Sequence, residues 1–134
     1  MDIDPAAMPG VAACDLRTAG ELSRLFRTHS ISAVIHLAGI LPTAFQDDPL
    51  AGADVNLNGS LALMRQAAEV SVDRFVFASS MSVYGTGPSA RPLSEDDPAA
   101  PDDAYGASNG FRMWRGGRMW PSAPWRPRVG GSRS

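Results

Sequence analysis

The chain has 134 residues, enough for one ordinary domain, and its 44% apolar content suits a packed core rather than a disordered chain. A single cysteine, Cys14, excludes an internal disulfide framework; no signal peptide and no apolar run of membrane-spanning length is present, so the expected location is cytoplasmic. The formal charge of −2 hides a division: residues 1–109 hold six arginines and all fourteen acids, net −8, whereas residues 110–134 hold six arginines and no acid, net +6, together with Trp114, Trp120 and Trp125.

Residues 1–9 show no periodicity and read as a ragged start. Residues 11–16 (VAACDL) are a short apolar run broken by Asp15, a plausible strand. Thr18 and Glu21 have the spacing of a capping box, and Leu22, Leu25 and Phe26 follow as one apolar helical face ending near His29. Residues 33–38 (AVIHLA) read as a second strand, closed by Gly39. After a loop, Asp48 and Pro49 supply the N-cap and first residue of a helix running to about Val70, with Leu50, Ala53, Leu57, Leu61, Met64 and Ala68 at three- and four-residue steps.

The central stretch is residues 74–85 (RFVFASSMSVYG). Phe75, Val76 and Phe77 give no alternation, the pattern of a strand buried on both faces of a parallel sheet. Ala78, Ser79 and Ser80 then place hydroxyls past its carboxyl end, where open α/β sheets bind ligands. Residues 85–101 carry four prolines and an acidic cluster and read as a surface loop. Asp102 and Asp103 cap a last helix with Tyr105 in its first turn. The order β-α-β-α-β-loop-α implies parallel βαβ units. From Gly110 onward no apolar period remains.

VIHLAG, DVNLNGSLALMRQAA, RFVFASSMSVYG and YGAS, in this order and spacing over residues 11–108, resemble the NAD(P)-dependent epimerase/dehydratase family, the extended short-chain dehydrogenases. The resemblance implies an α/β fold with a Rossmann-type doubly wound parallel sheet, NAD or NADP as cofactor, a small-molecule substrate such as a nucleotide sugar, no membrane partner, and a homodimeric parent. It implies that Asp15 and Leu16 flank the adenine, and that Leu37, Ala38 and Gly39 line the adenosine and ribose side. Asn56 would steady the site from the middle helix, and Ala78 and Ser79 would pass beneath the nicotinamide. Ser80 would hold the substrate oxygen, and Tyr105 would act as acid/base while hydride moves.

Three features depart from the family pattern. A phenol has a pKa of about 10, so a tyrosine base needs a cation nearby. The family provides a lysine four residues on; here that position is Asn109, in a chain with no lysine at all. No glycine-rich turn precedes residue 11 to cradle a pyrophosphate. In the usual strand order 3-2-1-4-5-6 the strand at residues 11–16 would then have no neighbour, leaving a hole in the sheet. The chain therefore reads as an incomplete domain over 1–109, lacking the first βαβ and the C-terminal part, and alone it is expected to be marginally stable. The family pattern stops at Ser108, so residues 110–134 read as a disordered or out-of-frame tail.

For single residues, structural roles stand beside functional ones. Ser80 could cap a strand end, Asp15 could simply terminate a strand, and Cys14 reads as a small core residue. His36 reads as a core histidine and His29 as a solvated helix end. Glu95, Asp96 and Asp97 read as a solvated loop, so no metal site is expected. The Arg/Trp tail has a composition suited to nucleic acid, but that partner is disfavoured against an out-of-frame tail. Two readings of the whole remain: a fragment of an NAD(P)-dependent sugar-nucleotide oxidoreductase or isomerase, and a non-catalytic remnant.

Overall fold

The structure, a computed structural model, describes residues 10–85, 91–94 and 96–110. The ragged start, Glu95 and the Arg/Trp tail lie outside the described residues. Helix α1 (Ala19–Thr28) leads to strand β1 (Ala33–His36). Helices α2 (Pro42–Asp47) and α3 (Pro49–Ala53), a π-helical segment (Asp54–Gly59) and helix α4 (Ser60–Glu69) follow. Strand β2 (Arg74–Phe77), a 3-10 turn (Met81–Tyr84) and helix α5 (Ala104–Ser108) complete the order. β1 and β2 pair in parallel, Val34 opposite Phe75 and His36 opposite Phe77, as the βαβ reading requires.

One face of this sheet is packed. Leu22 and Phe26 of α1, Leu63 and Ala67 of α4, Val72 and Phe75 form the core, with Cys14, Leu16, Ile31, Val34 and Phe77 against it. Burial pushes the Cys14 thiol up from its ordinary range. α4 ends in a Schellman motif: Ser71 takes a left-handed φ of 58°, its N–H donates to the Ala68 carbonyl, and the Val72 N–H donates to that of Ala67.

The other face corrects the sequence expectation. The strands are not buried on both sides: Ile35 and Val76 are 70% and 45% exposed, and Leu37 just past β1 is 74% exposed. Every helix packed on the described sheet core lies on one side, so alternate residues of the same strands face solvent.

Residues 11–16 form no strand. A strand exists by its ladder, and among the described residues none pairs with this segment. The capping box is also absent. Thr18 is the N-cap of α1 but its side chain makes no cap bond, and the Glu21 carboxylate turns instead to the Asp15 N–H at 2.8 Å. Asp48 does cap α3, accepting from the Ala51 N–H at 3.0 Å.

The middle helix is long, as expected, but only the far end of its expected stripe is buried. Ala68 is buried and Met64 packs against the core, whereas Leu50, Leu57 and Leu61 are exposed, and Gly52, Asn56, Gly59, Ser60, Leu63 and Ala67 face inward. The small residues set this choice. A Cβ at Gly52 would come within 2.6 Å of the Phe45 ring, and one at Gly59 within 2.9 Å of the Leu16 Cβ, so a bulkier stripe would hold the helix off. α2, unforeseen from sequence, supplies that buried Phe45.

Candidate active site

Because β1 and β2 are parallel neighbours, the residues after them emerge side by side. Leu37, Ala38 and Gly39 leave β1, and Ala78, Ser79 and Ser80 leave β2, at the same carboxyl end; all are exposed except Ser80, which is half-buried. This edge of an open α/β sheet is where ligands bind.

Ser80 is the N-cap of the 3-10 turn. Its Oγ accepts from the Ser82 N–H and contacts the Ser82 hydroxyl, each at 3.2 Å. This turn is not foreseen from the sequence, where the structural role open to the same serine is a strand cap.

α5 is docked on this turn. Its N-cap Asp103 accepts from the Gly106 N–H, so the helix starts where Asp102-Asp103 indicated. Gly106 makes the docking possible: a Cβ there would strike the Ser82 carbonyl. Tyr105, half-buried, meets the Phe45 ring edge-on with centroids 6.0 Å apart. Ser79 closes the join, its hydroxyl donating to the Asn109 carbonyl at 3.0 Å.

Asn109 is buried and turned back on its own helix. Its Nδ2 donates to the Tyr105 carbonyl at 2.9 Å, and its N–H reaches the carbonyls of Tyr105 and Gly106. It closes the last turn of α5, and a neutral amide stands at the position under Tyr105.

Asn56 lies in the π-helical segment, buried. Its Oδ1 accepts from the Ile40 N–H at 2.7 Å and its Nδ2 donates to the Ile40 carbonyl at 3.0 Å. π turns recur at functional positions. Gly39 lies under this amide, where a Cβ would come within 3.2 Å of Oδ1. Leu16 packs on Gly59 of the same segment. Asp15 stands apart on the surface in a bidentate pair with Arg17, at 2.6 and 3.0 Å. The hydrogen bonds from Arg17 hold its carboxyl at about 2.

Asp97 corrects the reading of the acidic cluster. It is an organised residue, paired with Arg91 and accepting from the Ser94 N–H at 2.6 Å, rather than a solvated charge. Among the described residues no three ligating side chains converge on a metal position, and no helix is long and apolar enough to cross a membrane. Sequence reasoning missed Ile40, Ser60, Phe45 and Gly106. Of these, Gly106 alone left a signal, a glycine beside the tyrosine in a first helical turn.

A profile of the NAD dependent epimerase/dehydratase family matches residues 4–111. The chain belongs to this family. The match extends past both ends of the motif-bearing stretch. UDP-glucose 4-epimerase of Azospirillum brasilense is 38% identical over 106 residues, 78% of this chain and 30% of that protein. The Pongo abelii UDP-glucose 4-epimerase is 38% identical over 99 residues, 72% and 28%. The Thermus thermophilus UDP-glucose 4-epimerase, solved in complex with NAD, superimposes with a TM-score of 0.68 at 31% identity, over 74% of this chain and 33% of that one. The Bifidobacterium longum enzyme with NAD+ and UDP gives 0.67 at 30% identity, over 75% and 30%. The fold is thus the Rossmann-type α/β fold of the epimerases, and the chain spans about a third of the length of these relatives.

The exposed turns after β1 and β2 present backbone and the small side chains of Ala38, Ala78 and Ser79 at this edge. Among the described glycines with positive φ, Gly10 has open space where a Cβ would stand and Gly85 packs on the Ala100 carbonyl, while Gly20 is inside α1.

Proposed function

We propose that this chain carries the nicotinamide- and substrate-facing side of an NAD(P)-dependent sugar-nucleotide epimerase site. The docking of α5 on the 3-10 turn, Gly106 against Ser82, supports this most directly, because it sets Tyr105 and Ser80 on adjoining elements at the ligand-binding edge. Leu37, Ala38, Gly39, Ala78 and Ser79 would line the dinucleotide, with Asp15 and Leu16 toward its adenine. Bound there, the cofactor supplies the hydride acceptor.

The chain's own groups would handle the proton. To donate to a substrate oxygen, the Ser80 hydroxyl would give up a long 3.2 Å contact to the Ser82 hydroxyl while its oxygen keeps the Ser82 N–H. Tyr105 would exchange its phenolic proton with that same oxygen. A nucleotide sugar is the substrate class that the UDP-glucose 4-epimerase relatives favour. The exposed Leu57 and Leu61 on the middle helix support a homodimeric parent.

Asn109 favours a second reading, a non-catalytic remnant. Its side chain is committed to the Tyr105 carbonyl, and an amide brings no positive charge to a phenol. Calorimetric titration with NAD, followed by an assay for UDP-glucose epimerisation, separates the two. The enzymatic reading expects saturable NAD binding and turnover abolished by Tyr105→Phe. The remnant reading expects no saturation at millimolar NAD, and the enzymatic reading falls on that result.

A further inference from the structure

A hydrogen-bonded line runs from the core of the sheet to the ligand-binding edge, and the proton chemistry above makes no use of it. It begins at His36, the last residue of β1, 3% exposed and flanked by Phe75 and Phe77 at ring centroid distances of 6.4 and 5.3 Å. His36 Nε2 lies 2.7 Å from Ser60 Oγ, and that hydroxyl donates to the Asn56 carbonyl at 2.6 Å. A hydroxyl has one hydrogen. With it committed to Asn56, the first bond runs from the ring, so His36 donates through Nε2.

The Asn56 carbonyl is open to a hydroxyl because the Ser60 N–H, where the π-helical segment ends, goes to the Leu57 carbonyl instead. Serine bonding back one turn competes with the backbone ladder and distorts a helix locally. Asn56 then reaches the far end of the line through its two bonds to Ile40. The two ends, His36 and Ile40, bracket Leu37, Ala38 and Gly39. The line is therefore a brace across the turn assigned to the dinucleotide.

We propose that His36 is the positioning residue of this turn: by donating to Ser60 it fixes the π-helical segment, and the segment fixes the Asn56 clamp on Ile40. The functional meaning rests on the dinucleotide reading; the mechanics rest on the distances alone.

Hydrogen exchange of the Ile40 amide in the full chain tests this, with the Val72 amide, bonded to Ala67 in the Schellman turn, as internal reference. His36→Leu fills the space without a donor, His36→Gln keeps a donor, and Ser60→Ala removes the relay with little change of volume. Losing the relay should speed Ile40 exchange relative to Val72 roughly tenfold, the effect of one net hydrogen bond. His36→Leu and Ser60→Ala should both do so, and His36→Gln should not. Unchanged Ile40 exchange in Ser60→Ala overturns the proposal, as does His36→Gln exchanging as fast as His36→Leu. Should His36→Leu fail to fold, Ser60→Ala decides. NAD titration of the unaltered chain stays a separate test: absent binding removes the dinucleotide reading, while the exchange ratio still decides the brace.

Discussion

The two faces of the sheet are made from alternate residues of the same two strands, and they meet opposite environments. Val34, His36, Phe75 and Phe77 lie beneath α1 and α4; Ile35 and Val76 look outward. By composition the outward set is as apolar as the inward one. The difference lies in what each face has to pack against. Burial of a β-former requires a covering element, and the described helices cover one face. An apolar strand thus records a capacity to be buried, and the partner decides whether it is.

The comparison breaks most sharply at Leu22, 1% exposed at the centre of the covered face. Leu22→Ala should lose roughly 2–5 kcal/mol. Because the chain is expected to be marginal already, melting below the ~45 °C typical of mesophile domains, this variant should show no cooperative urea transition by circular dichroism. A sharp transition in Leu22→Ala would mean the core is tighter than its one-sided cover suggests. Gly106→Ala should cost less, roughly 1–3 kcal/mol of overpacking, by driving α5 off the Ser82 carbonyl. A lowered urea midpoint, with greater proteolytic sensitivity around residue 105, checks it.

His36 reads the cover by titration. Burial holds its pKa below the ordinary 6.5, so the folded chain takes up a proton less readily than the unfolded one. Its contribution to stability is full above pH 6.5 and is lost as pH falls below it. Urea midpoints across pH 5–8 should show this fall, and His36→Gln should flatten it. Smallest of all is Ile35→Thr on the bare face, expected within about 0.5 kcal/mol of the parent and more soluble. If Ile35→Thr instead costs as much as Leu22→Ala, the bare face is covered in solution.

Local signals were legible where they were self-contained. Asp48-Pro49 and Asp103 cap helices because an aspartate needs only nearby amides to do so. The two strands and the Leu22–Phe26 face were legible from apolar pattern alone, and the placement of Ser79 and Ser80 at one edge follows from parallel pairing, whereas Tyr105 reaches that edge through the packing of Gly106 on Ser82. What was not legible depended on distant partners. Residues 11–16 have strand composition and no ladder. Thr18 and Glu21 have capping spacing, but the Asp15 amide takes the carboxylate. α2 is a short helix held by Phe45 against Gly52, residues on two separate helices broken apart at Asp48. The apolar stripe of the middle helix held at Met64 and Ala68 but misled at Leu50, Leu57 and Leu61, where small residues allow close approach and close approach outweighed side-chain hydrophobicity.

The π-helical segment has a consequence for how this helix tolerates changes of length. A widened turn holds one residue more than an α-turn. Deleting Leu57 would let residues 49–69 close into a plain α-helix, and each residue on one side would rotate by about 100° relative to the other. α4 could keep Leu63 and Ala67 in the core, but Asn56 would swing away from Ile40 and Gly52 away from Phe45. The extra residue is therefore a spacer in the reading of the helix: it lets one continuous rod present its core residues at one end and its clamp at the other. A substitution changes one contact in this rod, whereas a single deletion would put its two halves out of phase.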